Sequence, residues 1–530
     1  LKKAHWLALL WTCFLIRSFF LTTTLPLFEG FDESAHFAFI QRVFFHRDLP
    51  DPWKSGMSRE VVESARAAPI PRAVTFVRGK SYCEFWAGEA KPVPRFPPEW
   101  GRLEALPTVR SYEAQQTPLY YWLMALAYWP IQNLDLQVRV WLLRCIGVLL
   151  ASLTVPLGFL VARRVFREDR LALLTVALFC SLPQLYIAIN HIGNESLGIP
   201  MATAVIALLL NWNSALPTRR RDAVAAGLVF GLALLSKAYV ITLIPAAVGV
   251  FMFQLLREKK SRALLVRQFA LAALVCVVVS GWWYVQSYRR GGTLSGEQNE
   301  ELAHAKVGSL GILQAARHVQ WPEAIRSLER QNVFVANWSI IMLPGVVYRA
   351  AYIPLLLAAA GLLLQFIRPR VNLPRRRDLA ILLLICGTFV GALVYCQVCN
   401  WIVWGQAVTV GSYFYATIAA AAPLTVAGML RIFPGAPGRF AIVGLCIAAT
   451  LVELAATVLY MMPFYAGLTC AVERLPLHVL RGPLLWAELQ KLSLNSPAGP
   501  AFMALQMALW LAGMVAIPSI SGILATRRDS

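Results

Sequence analysis

Two adjacent carboxylates and an imidazole stand together in Gly30-Phe31-Asp32-Glu33-Ser34-Ala35-His36, directly after the first apolar run of the chain. A carboxylate such as Asp32 can take a proton from an acceptor hydroxyl, and Glu33 and His36 are near enough in sequence to assist. Ionisable side chains at the face of a greasy protein mark a functional site by default. The competing reading is structural: Asp32 and Glu33 could simply start a helix.

Comparable groups recur at the ends of other apolar runs. Glu113 and Gln116 precede Tyr120 and Tyr121; His191, Asn194 and Glu195 lie in Asn190-His191-Ile192-Gly193-Asn194-Glu195; Lys237 follows Leu235-Ser236; Trp283 and Tyr284 precede Arg289 and Arg290. Together they offer acids and bases for proton transfer and cations to meet negative charge on a departing group. Each also has a plain alternative. Glu195 could cap the helix after it, Lys237 could reach to lipid headgroups, His191 could be an ordinary hydrogen-bonded loop residue, and Arg289 and Arg290 could be interfacial anchors.

The elements that position these groups follow from composition. Of 530 residues, 58% are hydrophobic and 15% charged, and mean hydropathy is +0.58. With repeated apolar runs of about 20 residues, this is a polytopic all-α membrane protein. The net charge of +21 sits in short loops between apolar runs, the positive-inside pattern. That excludes nucleic acid as the partner and favours anionic membrane lipids. Most of the ten cysteines lie inside apolar runs. Cys396-Gln-Val-Cys399 has no second pair and reads as neither a metal nor a redox site. Cys83 and Cys470 fall in loops on the same outer side, where a disulfide could form.

Charge placement gives about 12 transmembrane helices with both termini inside. They cover roughly 6–26, 138–162, 171–189, 197–213, 223–238, 240–256, 267–286, 349–367, 379–397, 411–431, 440–462 and 501–524. The first apolar run lacks a small-residue cleavage site and reads as a retained anchor. Residues 118–130 are treated as a re-entrant or interfacial helix, because counting them as a span would put Arg163, Arg164, Arg167 and Arg170 outside. The first outer loop then runs over about 28–137. It is a large extracytoplasmic loop with interfacial helices, since Phe37, Ile40 and Phe44 repeat at helical spacing. The division is a module over 1–290, a second outer loop over 291–347 and a variable membrane region over 348–530. No internal repeat argues for a transporter built from duplicated halves.

Phe31-Asp32-Glu33-Ser34-Ala35-His36-Phe37 resembles the acidic first-loop motif of the GT-C superfamily of membrane glycosyltransferases, in the branch that holds protein O-mannosyltransferases and the lipid A aminoarabinose transferase. Gln116-Thr117-Pro118-Leu119-Tyr120-Tyr121-Trp122-Leu123 resembles that branch's Pro-Pro-Leu-Tyr-Tyr-Trp-Leu motif, with Thr117 replacing one proline. Asn190 to Glu195 resembles a stretch that usually ends in Asp, and Leu235-Ser236-Lys237 and Trp282-Trp283-Tyr284 resemble later landmarks. Gly411-Ser412-Tyr413 resembles a Gly-Arg-Tyr landmark whose arginine is here Ser412.

The resemblance implies a polyprenyl-phosphate-linked sugar donor, a lipid, glycan or protein acceptor, and an inverting single displacement. Asp32 would be the base, with Glu33 and Glu195 beside it. His36, Glu113, Gln116, Tyr120, Tyr121, His191, Asn194, Trp283 and Tyr284 would bind substrate, and Lys237 with Arg289 or Arg290 would hold the phosphate. Asp32, Glu33 and Glu195 could ligate a divalent ion, but no metal or other cofactor is expected. The implied location is a bacterial inner membrane, the site facing the periplasm or exterior. The alternatives are a transporter or flippase for a lipid-linked glycan, which would need charges deep in the spans, and an inactive scaffold with the same fold.

Overall fold

The computed structural model describes residues 3–106, 108–213, 219–258, 261–408, 411–470 and 482–526. The Ser412 side chain, at the Gly-Arg-Tyr-like landmark, lies outside the described side chains. The chain is helical nearly throughout. The first membrane-facing helix, α1 (Lys3–Thr24), is followed by short helices of the first outer loop: α2 (Glu33–His46), α3 (Arg59–Ala67), α4 (Tyr82–Ala87) and α5 (Leu119–Tyr128). Next come α6 (Leu136–Ser152), α7 (Thr154–Phe166), α8 (Asp169–Ser181), α9 (Pro183–Ile189), α10 (Glu195–Trp212), α11 (Arg220–Ser236), α12 (Ile244–Arg257) and α13 (Arg262–Gly291). The second outer region holds α14 (Gln298–Ala315), α15 (Trp321–Val333) and a two-stranded hairpin, β1 (Val335–Ala336) against β2 (Ile341–Met342). The rest comprises α16 (Gly345–Ile367), α17 (Arg376–Trp404), α18 (Ile418–Ile432), α19 (Ala436–Ala455), α20 (Met462–Tyr465), α21 (Gly482–Leu492) and α22 (Pro500–Thr526).

Among the described residues, ten helical segments are long and apolar enough to cross a membrane, and eleven if the bent pair α8–α9 counts as one span. The sequence reading expects twelve. The difference lies at α11, whose 17 residues end where Lys237 turns extended, giving a helix about 25 Å long. A second departure is the span expected over 171–189. It bends by 66° between Ser181 and Pro183, because Leu182 precedes a proline and is pushed out of the helical region. That bend carries the loop 190–194 toward the first outer loop. At ten residues, α5 is about 15 Å long and too short to cross the bilayer.

Buried charges join the helices where apolar packing alone would leave orientation open. Arg17 on α1 is wholly buried and paired with Glu453 on α19. It also donates to the Cys180 carbonyl at 2.7 Å, while Trp510 on α22 donates to the same glutamate at 3.0 Å. In the first outer loop, Glu60 of α3 pairs with Arg139 of α6, and Gln41 of α2 donates to Glu60 at 2.7 Å. The loop therefore has its own core, with Phe37, Phe39 and Ile40 of α2 packed among Tyr121, Met124 and Tyr128 of α5.

Cys83 of α4 and Cys470, just beyond α20, form a disulfide across 387 residues of sequence. It ties the first outer loop to the C-terminal region. Cys83→Ser is expected to lower stability by about 2–4 kcal/mol. Thermal unfolding should show this, and reductant should move the parent toward the variant while leaving the variant unchanged.

Candidate active site

Asp32 begins α2 but does not cap it: its side chain makes no capping hydrogen bond. The residue sits at φ 54°, in the left-handed region, which asparagine and aspartate tolerate better than other side chains. Its surroundings enforce that conformation. Glu29, three residues earlier, accepts from the Tyr82 hydroxyl at 2.6 Å and from the Ser339 N–H at 2.9 Å, and its carbonyl accepts from the Trp338 N–H. The Phe31 ring meets Trp338 edge-on at 5.5 Å. Gly30 lies so tightly on His191 that any side chain there would overlap the imidazole. Gly30→Ala is expected to cost about 1–3 kcal/mol by overpacking and to lower activity by displacing Asp32. Thermal unfolding beside a turnover assay would separate the two effects.

The structure gives the paired carboxylates different duties. Glu33 is buried and holds Arg144 of α6 at two oxygens, at 2.7 and 2.6 Å, while accepting from the Ile192 N–H at 2.9 Å. It is a structural tie, which corrects the expectation that Glu33 works beside Asp32 as a catalytic group. Asp32, half-buried, accepts no side-chain hydrogen bond from the described residues. Burial, with the Glu195 and Glu297 charges nearby, pushes its carboxyl up to about 7 against the opposing pull of Lys237.

Around Asp32 the cluster draws residues from several distant segments. Glu195 at the start of α10 pairs with Lys237, which also donates to the Asn194 side chain at 2.6 Å. Neither Glu195 nor Lys237 is doing the plain job allowed for it: Glu195 is held in an ion pair and Lys237 is buried. The ammonium lies over the Tyr413 ring at 4.9 Å. Asn194 donates to Gln116 at 2.9 Å. His36 bonds the Tyr121 hydroxyl at 2.6 Å, and its other nitrogen stands 3.8 Å from Glu113. Burial drives the His36 imidazole down to about 3 and raises Glu113 well above the usual carboxylate range. His36 is thus a neutral ring bridging Tyr121 and Glu113. His191 places one nitrogen 3.1 Å from the Ile187 carbonyl and turns its Nε2 toward Gly193, beside Glu195 Oε2. Tyr120 is fully buried near the same loop.

Four residues expected at the site lie elsewhere. Trp283 and Tyr284 are packed into the helix core against α11, where the Tyr284 hydroxyl donates to the Leu234 carbonyl at 2.9 Å. Arg289 and Arg290 are exposed, and Arg290 borders an open groove of about 520 Å³ with Arg47, Asp48, Trp122 and Gln286. Arg47 ends α2, about 20 Å along the helix from Asp32, so this groove is separate from the carboxylate cluster. Conversely, Glu297 was not singled out from sequence. It follows α13 by six residues, accepts from Gln115 at 3.4 Å and acts electrostatically on Asp32 and Glu113. No group of three or more His, Cys, Asp or Glu among the described residues has metal-binding geometry.

A family model described as "Predicted membrane protein (DUF2142)" matches residues 13–416. The chain belongs to that DUF2142 family. The match takes in every residue of the cluster around Asp32. No curated protein matches the chain in sequence. Among solved structures, the chain is similar to ArnT from Cupriavidus metallidurans bound to undecaprenyl phosphate, with TM-score 0.48 and 14% identity, covering 97% of this chain and 77% of that one. It is similar to the archaeal oligosaccharyltransferase AglB from Archaeoglobus fulgidus, in complex with an inhibitory peptide and a dolichol-phosphate, at TM-score 0.42 and 13% identity, covering 100% and 57%. The arabinosyltransferase EmbB from Mycobacterium smegmatis gives 0.39 and 12%, covering 90% and 42%.

Proposed function

We propose that the chain is a membrane glycosyltransferase that moves a sugar from a polyprenyl-phosphate-linked donor to an acceptor hydroxyl outside the cytoplasm. The reading rests chiefly on Asp32. An aspartate held in a left-handed turn by the contacts of its neighbours Glu29, Gly30 and Phe31, with a carboxylate that accepts no side-chain hydrogen bond from the described residues, is built for something other than stability. Its raised pKa sets it close to the operating pH of a general base.

In this reading the acceptor hydroxyl gives its proton to Asp32 as its oxygen attacks the anomeric carbon. The bond from that carbon to the phosphate oxygen breaks, the phosphate keeps the electron pair, and configuration inverts. Lys237 has two of its three N–H groups on Asn194 and Glu195. The third supports the departing phosphate. Because Glu195 neutralises Lys237, the ion pair offers a hydrogen bond more than a net charge. Glu113, His36 and Tyr121 form a chain that can orient a sugar hydroxyl. The motif resemblance at residues 31–37 and 116–123 supports the same reading. We place the active face toward the periplasm or exterior of a bacterial inner membrane.

The test is turnover. Purified protein in lipid is offered polyprenyl-phosphate sugars together with a panel of lipid, glycan and peptide acceptors. Release of polyprenyl phosphate that requires an acceptor is expected. Binding of donor lipid without acceptor-dependent release from any of the panel would instead support the transporter or scaffold readings.

A further inference from the structure

The second outer region carries an apolar face that the described residues leave exposed. At Gly308 (φ 65°, ψ 173°) α14 kinks. Past the kink, Ile312 turns inward to a small cluster with Val398, Cys399 and Ala407 around the end of α17. Leu310 and Leu313 turn outward and are 77% and 71% exposed, with Val307 beside them at 43%. Those values are as high as on the outer faces of the spans, yet α14 is not among the apolar membrane-crossing helices.

Its position says what covers it. The Lys306 ammonium binds the Ile402 and Val403 carbonyls at 3.4 and 3.2 Å, at the last turn of α17. The next residue, Trp404, is 65% exposed and donates from its indole to Asn299 of α14 at 3.0 Å. α17 has 29 residues, about 43 Å, so its final turns emerge at the bilayer boundary. An exposed tryptophan at such an end marks the headgroup level. Lys306 therefore fixes α14 at that level, and Leu310 and Leu313 lie one to two helical turns further on.

We infer that the second half of α14 is an interfacial helix whose Val307, Leu310 and Leu313 face is buried in the outer leaflet of the bilayer. The partner is the lipid itself, at the boundary between headgroups and acyl chains. Because α14 begins at Gln298, whose N–H donates to Gln115 at 2.6 Å, the same helix links the bilayer surface to the segment carrying Glu113. The inference stands whether or not the chain transfers sugars.

Spin labels at Leu310→Cys and Leu313→Cys, with Glu323→Cys on the exposed face of α15 as reference and the parent chain as background, report the depth in lipid nanodiscs. Both α14 labels are expected to favour oxygen over a water-soluble nickel chelate and to lie about 5–10 Å below the phosphates, while the reference label stays in water. Nickel accessibility at 310 and 313 equal to that at 323 would overturn the inference. So would labels shielded equally in detergent and lipid with spin–spin broadening between chains, which would show a second copy on this face.

Discussion

Asp32→Asn is expected to reduce sugar transfer by about 10²–10⁴-fold while the chain remains folded, inserted and able to bind donor lipid. Asparagine is the right replacement because it accepts the left-handed conformation at φ 54°; alanine would add backbone strain to the loss of the base. The sign of the stability effect separates a chemical role from a structural one. Burial raises the Asp32 carboxyl from its ordinary value to about 7, so the native state holds its proton more tightly than the unfolded chain. The stabilisation from that proton is complete below the unfolded pKa and is lost as pH rises through about 7. Above that pH the wild-type chain carries a charged, half-buried carboxylate that the variant lacks. Asp32→Asn should therefore melt no lower than the parent at about pH 8, and slightly higher, in spite of being inactive. The parent's rate should rise through about pH 7 to a plateau as Asp32 ionises. A variant that melts well below the parent, with activity lost in proportion, would assign Asp32 to structure.

Much of this was legible in the chain itself, for definite reasons. Apolar runs announce spans because the bilayer admits few other solutions, and basic loops order them. Acidic residues at the ends of those runs stand out against a chain that is only 15% charged. Hence Asp32, Glu113, Glu195, Lys237 and His36 could be picked out although up to 205 positions separate them, and the structure brings them together. What stayed hidden was the division of labour. Sequence cannot tell Asp32 from Glu33, because the decision is made by Arg144, more than a hundred residues away on α6. An arginine inside an apolar run is itself a warning that a partner exists; Arg139 and Arg144 stand in such a run but were not singled out from sequence. Glu29 and Glu297 carried no such signal: they are ordinary loop acids until the hairpin at Asn337 to Ile340 and the Gln115 side chain close on them. Arg289 and Arg290 erred the other way. Their charge suggested a phosphate, but both are exposed and the length of α2 separates the groove that Arg290 borders from the base. The bend at Leu182–Pro183 was missed by the expected span over 171–189, although the proline itself signals it.

The second large effect is expected at the neighbouring carboxylate and has the opposite character. Glu33→Gln should cost about 3–5 kcal/mol of stability, the range for removing one partner of a buried ion pair. Glu33 has no exposed surface, and its loss leaves the Arg144 guanidinium charged, buried and without a counter-ion. Arg144 also donates to the carbonyls of Thr22, Leu25 and Pro26 at 3.2, 2.6 and 2.7 Å, so the pair joins the end of α1 to α6 as well as to α2. Arg144→Met should be comparably damaging, since it strands those carbonyls along with Glu33. The double variant Glu33→Gln with Arg144→Met removes the uncompensated charge and should recover part of the loss, leaving the orphaned carbonyls as the remainder. Denaturation of all three variants in one detergent supplies the cycle. At a temperature where Glu33→Gln is still folded, its transfer rate should fall far less than that of Asp32→Asn, because Glu33 touches protein on every side and Asp32 does not. If Glu33→Gln instead kept full stability and lost transfer, the roles of the two adjacent carboxylates would have to be exchanged, and the base would be the residue that the fold holds most tightly.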